Sequence, residues 1–333
     1  MEQRRLGTTG LTVSALGFGC GAVGGLMVRG DAVEQRQAVA RALDAGITYF
    51  DTAASYGDGL SEEHLGQVMR DLGAWSRVVV GTKVRLQGAE LQKPVEAVRA
   101  SLEASLKRLG RSDVDLLNLH NPIALVSSDP RSLDLDTTLS GVARGLQQVV
   151  QAGLAHHAGF TGLGETAAIQ EVLRAEPYES VQTYFNVLNP SAGFVGHTGG
   201  QQDFHGLIDT AARAGRAVIV IRVLAAGAAA AVPLRSPNAG DPGGSLVGGG
   251  SYAADLDRAR GAADLARDLG LDGPVELALR FGLSKTGVST VLVGYSNIAQ
   301  LEEAIRYAER GPLRADAVQR VLELSAQSPV GSP

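Results

Sequence analysis

Cysteine is nearly absent: Cys20 is the one thiol in 333 residues. A single thiol excludes an internal disulfide framework and a cysteine-built metal site. Excess charge of one sign is also missing. Against 35 acidic residues stand 30 basic ones, a formal net charge of -5, with the basic residues dispersed along the chain. A nucleic-acid surface is therefore not expected, and any phosphate site must be local. No apolar run is long enough to span a bilayer, and no basic start followed by a long apolar stretch marks a signal peptide. The expectation is a cytoplasmic protein with no membrane contact. Aromatic residues make up only 5% of the chain, so few rings are available to wall a pocket; Phe160, Tyr184, Phe194 and Tyr252 are the candidates.

What the chain does have is alternation. With 44% hydrophobic and 20% charged residues it suits a large packed core. Short apolar runs, at 14–20, 47–50, 78–84, 115–120, 156–163, 180–186, 217–224 and 289–295, read as strands. Between them lie amphipathic segments such as 32–44, 94–109, 138–151, 165–174, 206–214 and 297–310, which read as helices. Eight nearly continuous apolar strands with helical crossovers favour a closed α/β (β/α)8 TIM barrel over an open sheet. Residues 5–14 read as a hairpin capping the barrel bottom, and 313–326 as a final helix before a frayed tail at 328–333. One domain over 1–333 is expected, with the barrel at about 14–310. Between Ala225 and Tyr252, Pro233, Pro237, Gly240, Pro242, Gly243, Gly244 and the run Gly248 to Gly250 give turn chemistry with little capacity to pack. A domain linker is one reading, but a barrel strand before it and one barrel helix after it favour a long loop after strand seven, shaping the active site.

The chain is organised around Asp51-Thr52-Ala53-Ala54-Ser55-Tyr56-Gly57, followed by Gly59, Ser61, Glu62, Leu65 and Gly66. An apolar run stops at Asp51, so Asp51 and Tyr56 fall on the turn between a strand and a helix. Ser61 is available as that helix's cap, with Glu62 and Glu63 offsetting the macrodipole in its first turn. Lys83 and His120 end two further strand candidates. In a barrel these ends converge on one face. A phenol titrates near pH 10, and a neighbouring ammonium lowers that value, so Lys83 would make Tyr56 a better acid. Asp51 would hold Lys83, and His120 would hydrogen-bond a substrate carbonyl. Taken singly, an Asp after a strand is usually a cap and a buried His a satisfied core residue.

At these positions, and over nearly the whole chain, the sequence resembles the aldo-keto reductases. The resemblance implies a nicotinamide cofactor, NADP(H) with NAD(H) as the other option. It delivers hydride to an aldehyde or ketone, sugars included, while Tyr56 protonates the oxygen; the reverse path oxidises alcohols. No metal is needed. It also implies cofactor contacts at Gly19, Cys20 and Gly21, although Cys20 also reads as a small buried side chain. Gly21, Gly24 and Gly25 do not have Rossmann spacing. Thr161 would hold the nicotinamide carboxamide together with Gln182, while Gly162 stands where the family has an asparagine. Gly294, Ser296, Gln300 and Glu303 would face the adenosine and its phosphates at a helix N-terminus, where Ser296 and Asn297 also read as a cap. Ala304 replaces a family asparagine. Ile221 takes the place of the ring that stacks on the nicotinamide, and Leu224 matches a family leucine. Arg222 would meet the pyrophosphate or, alternatively, pair with a carboxylate. Arg235 is the candidate for a 2′-phosphate, with a solvated loop arginine as its other reading. Two rivals stand beside the enzyme: a cofactor-holding regulatory subunit like the potassium-channel β subunits, and a barrel with degenerate chemistry.

Overall fold

The apolar runs close on themselves. In the computed structural model, which describes residues 1–232, 235–242 and 250–326, eight parallel strands form a closed barrel. They are β1 (Leu16–Gly19), β2 (Tyr49–Asp51), β3 (Val79–Val84), β4 (Val114–Leu119), β5 (Ala155–Gly162), β6 (Tyr178–Tyr184), β7 (Ala217–Ile221) and β8 (Thr290–Gly294). Each pairs with the next, and β8 pairs with β1 with Gly294 opposite Gly19, so no barrel edge is left open. The fold is the (β/α)8 barrel expected from the alternation.

Strand parity sorts the side chains into two cores. Outward residues such as Phe18, Phe50, Val80, Leu117 and Leu119 pack with the helices in one large core. Inward Tyr49, Leu116, Ala217 and Ile219 meet Leu6 and Val13 in a smaller one. Leu6 and Val13 belong to the N-terminal hairpin, which pairs Gln3–Arg5 with Thr12–Ser14 and closes the barrel bottom as expected. Helix Ala32–Asp44 starts where the Asp31 carboxylate accepts from the N–H groups of Val33 and Glu34, at 2.9 and 3.0 Å. Pro94 opens helix Pro94–Leu109, and left-handed Gly110 closes it.

Three expectations need correction. The helix read at 138–151 begins earlier, as Leu135–Thr137, widens to a π turn over Thr138–Val142 and continues as Ala143–Gln151. In that turn the hydroxyls of Thr138 and Ser140 donate back to the carbonyls of Asp134 and Asp136, competing with the backbone ladder. Between β7 and β8 lie two helices, Tyr252–Asp268 and Pro274–Ser284, where one was expected. The loop after β7 is also better anchored than its composition suggests. A 3-10 turn spans Ala225–Ala230, Asn238 Nδ2 donates to the Ser296 carbonyl at 3.0 Å, and the Gly240 N–H donates to the Val23 carbonyl at 3.0 Å. Pro233, Gly243, Gly244, Gly248 and Gly249 of that loop, and the tail 328–333, lie outside the described residues.

Candidate active site

After β2 stops at Asp51, Gly57, Asp58 and Gly59 follow with φ of 62°, 52° and 94°. Glycine takes two of these left-handed positions at no Cβ cost, and the turn sets Tyr56 over the barrel mouth before helix Leu60–Asp71 begins. The helix start departs from expectation. Gly59 is the N-cap; Ser61 is buried, donating to the Cys20 carbonyl at 2.9 Å and bonded to Thr52 Oγ1 at 2.8 Å. Glu62 lies in the first turn as expected but is fully buried, accepting from Thr82 at 2.5 Å and from Arg108 at 2.6 Å. That carboxylate ties the Tyr56 turn to β3 and to helix Pro94–Leu109.

Asp51 and Lys83 face inward from neighbouring strands and are 1% and 2% exposed. Lys83 Nζ donates to one Asp51 carboxylate oxygen, to the Thr52 carbonyl at 2.7 Å and to Tyr56 Oη at 3.1 Å. The other Asp51 oxygen accepts from Tyr49 Oη at 3.2 Å and from Gln182 Nε2 at 2.5 Å. His120, just beyond β4, sets its ring edge-on to Tyr56 with centroids 5.7 Å apart, and its Nδ1 lies 3.3 Å from Ser55 Oγ. The four residues singled out from the sequence are thus brought together.

Burial pushes the Tyr56 phenol above its ordinary pKa; the Lys83 ammonium pulls it down, and Asp51 adds to the rise. Lys83 acts in the expected sense, but desolvation is the larger effect, so the net direction opposes the expected lowering. Burial also works against the charge on Lys83, yet the fields and hydrogen bonds of Asp51 and Tyr56 together more than offset it and raise its pKa. His120 is held well below the usual histidine value by burial, then by the positive charges of Lys83 and Arg85. At neutral pH the cluster therefore holds a charged lysine, a protonated phenol and an uncharged imidazole.

Tyr56 and His120 open into a cavity of about 910 Å³, within the range of small-molecule sites. Gly19, Gly21, Thr161, Gln182 and Leu224 line it, as do Gly294, Ser296, Gln300 and Glu303. Ile221 presents an aliphatic face there. Cys20 does not line it: the thiol is buried in the outer core, where burial pushes its pKa up. Of the rings expected as walls, Tyr252 is the one that lines the cavity. Phe160 packs edge-on to Tyr178, Tyr184 stacks on Phe204, and Phe194 packs against Phe281, because the core takes them.

The polar groups at the two ends of this space differ. Thr161 Oγ1 is buried without a hydrogen-bond partner among the described residues, while Gln182 commits one amide N–H to Asp51. Arg222 has a φ of 57° and makes one side-chain hydrogen bond among the described residues, to the Pro242 carbonyl at 3.4 Å. Burial lowers the Arg222 pKa, with the fields of Tyr184, Tyr56 and Asp255 working against that, and no ion pair joins it to a carboxylate among the described residues. Arg235 donates to the carbonyls of Ala226 and Gly240, each at 2.8 Å, and to Tyr252 Oη at 2.9 Å. The N-terminus of helix Ile298–Glu309 is not free as expected. Ser296 N–H donates to Gln300 Oε1 at 2.8 Å, Ile298 N–H to Glu34 at 3.1 Å and Gln300 N–H to Asn297 at 3.0 Å. An unpartnered hydroxyl at one end and a guanidinium without an ion pair among the described residues at the other suit a ligand with an amide at one end and phosphates at the other. Sequence reading missed Arg85, Asp129 and Arg131 on the cavity wall. Arg85 had a signal: it follows inward-facing Lys83 by two residues.

Among the described residues no helix is long and apolar enough to cross a membrane, and no group of side chains is arranged to hold a metal ion. Residues 15–326 match the Aldo/keto reductase family. The chain is 28% identical over 328 residues to L-glyceraldehyde 3-phosphate reductase of Escherichia coli (strain K12), a match covering 92% of this chain and 87% of that one. It is 37% identical over 167 residues to L-galactose dehydrogenase of Arabidopsis thaliana, 49% of each chain. Its matches to the first curated relatives span about half of their length or less. The holo form of aldo-keto reductase AKR11C1 from Bacillus halodurans superposes with a TM-score of 0.75 at 25% identity, covering 99% of this chain and 98% of that one. A family match over that span, with a solved member sharing the barrel, means that this chain belongs to the aldo/keto reductase family.

Proposed function

We propose that this protein is an NADP(H)-dependent oxidoreductase that interconverts aldehydes or ketones, sugar aldehydes included, with alcohols. The observation that carries the reading is Lys83 Nζ held between Asp51 and Tyr56 Oη at the mouth of the cavity. A reduced nicotinamide, when bound, supplies the hydride that forms the new C–H bond. Tyr56 gives its proton to the carbonyl oxygen as the C=O π pair moves onto that oxygen. Burial keeps the proton on Tyr56 at neutral pH, and Lys83 stabilises the phenolate left behind until solvent returns a proton. Asp51 keeps Lys83 charged. Neutral His120, its Nδ1 3.3 Å from Ser55 Oγ, donates to the substrate oxygen from the ring nitrogen that carries its proton. In this reading Thr161 and Gln182 hold the carboxamide, and Ile221 and Leu224 border the nicotinamide. Gly19 and Gly21 give it bare backbone, Arg222 meets the pyrophosphate, and Gly294, Ser296, Gln300 and Glu303 surround the adenosine. The names of the relatives, a sugar dehydrogenase and a sugar-phosphate reductase, support aldehydes of that size. Domain unity over 1–333 and a cytoplasmic location belong to the same proposal.

The test is steady-state turnover with a panel of aldehydes and either NADPH or NADH. Stoichiometric cofactor oxidation, with higher kcat/KM for NADPH, is expected. No turnover, together with a stoichiometric partner protein on purification, would instead favour a regulatory subunit.

A further inference from the structure

One charged group at the cavity wall makes no contact in the chemistry above, entering it only as a field that, after burial and Lys83, helps keep His120 uncharged. Arg85 stands just past β3, two residues after Lys83, so it shares the inward face of that strand one step nearer solvent. It is exposed, lines the cavity and has no hydrogen-bond or ion-pair partner among the described residues. The rim beside it is fixed. Buried Asn121 accepts from the Leu86 N–H at 2.9 Å and donates to the carbonyls of Leu86 at 2.8 Å and Arg131 at 3.2 Å. Within that rim Asp129 and Arg131 neutralise each other, joined by a guanidinium bond of 2.7 Å. Arg85, whose field also reaches Asp129 behind that of Arg131, is the positive charge left without an ion pair among the described residues.

Its position separates it from the cofactor's phosphates. β3 and β7 lie on opposite sides of the closed barrel, so Arg85 and Arg222 flank the cavity from opposite walls, with Tyr56 and His120 also at the mouth. We propose that Arg85 makes the substrate end of the cavity selective for carbonyl compounds that carry an anionic group, a carboxylate or a phosphate ester. A guanidinium pairs in bidentate fashion with either, whereas a neutral substrate displaces water from Arg85 and returns nothing. This inference rests on the carbonyl-reductase reading.

Two matched pairs test it: butanal against succinic semialdehyde, and glyceraldehyde against glyceraldehyde 3-phosphate. In at least one pair the anionic member should lead by about tenfold or more in kcat/KM, the scale of a hydrogen bond to a charged group. The pair that shows the effect distinguishes carboxylate from phosphate. Arg85→Gln should cut that ratio by about tenfold, through KM of the anionic member, while Arg85→Lys keeps more of it. Unchanged thermal stability in both variants is expected, since Arg85 holds nothing in the fold. Equal efficiency within both pairs in the wild type, or a ratio unmoved in Arg85→Gln, overturns the inference while leaving carbonyl reduction standing. Failure to turn over any of the four aldehydes overturns both.

Discussion

Tyr56 and His120 are set by the same force acting on opposite chemistry. Desolvation favours the neutral form of each, which raises the phenol and lowers the imidazole. For His120 this links stability to pH. Below the unfolded value of about 6.5 the unfolded chain binds a proton that folded His120 refuses, so folding weakens as pH falls through that window. Its contribution is fully present above pH ~6.5 and is lost downward from there. In His120→Gln this part of the acid sensitivity should vanish. Thermal melts from pH 8 to pH 5 should show the variant gaining on the wild type as pH falls; a constant difference between them contradicts the assignment. Asp51, Lys83 and His120 were legible in the sequence because each lies at the end of an apolar run. The net pKa of Tyr56 was not, because desolvation depends on how deep the turn after Asp51 seats the ring.

Among the elements, the most constrained is the turn from β2 into helix Leu60–Asp71, because Glu62 is buried within it and faces Arg108. Removing one partner of a buried pair leaves an uncompensated charge, at a cost of about 3–5 kcal/mol. Arg108→Met should lower stability to urea by about that much, and adding Glu62→Gln should recover part of it. A loss under ~1 kcal/mol would mean that the pair does not hold the turn. The strands and most helix bounds, such as 32–44 and 94–109, were readable from hydrophobic period. The π turn at Thr138–Val142 was not, since it depends on hydroxyls competing with the backbone. For Cys20 the buried side-chain reading holds and the cofactor contact does not, as strand parity implied: it follows outward-facing Phe18 by two residues. The closed helix N-terminus at Ser296 required Glu34 and Gln300, and Glu34 is remote in sequence. With that terminus engaged, Arg222 becomes the cofactor's main phosphate contact in our proposal. Arg222→Ser should weaken NADPH binding by roughly 1.5–3 kcal/mol in calorimetry. Unchanged affinity with a lower melting temperature would make the arginine structural.

For the whole molecule, overall charge and local charge diverge. The chain carries a net charge of -5, yet the cavity wall gathers Arg85, Arg131, Arg222 and Arg235, against Asp51, Asp129 and Glu303, from loops and strand ends far apart in sequence. The count of basic residues describes the chain as a whole; it could not reveal a focused site, which closure of the barrel creates. The same closure brings Asp51, Lys83 and Tyr56 into hydrogen-bond contact, and the account stands or falls on what Tyr56 does there. The decisive measurement is kcat for aldehyde reduction in Tyr56→Phe, with NADPH affinity measured on the same preparation. The account predicts near wild-type cofactor binding and a loss in kcat of at least ~10²-fold, the scale of general acid catalysis. A variant that binds NADPH normally and keeps near wild-type kcat would contradict it.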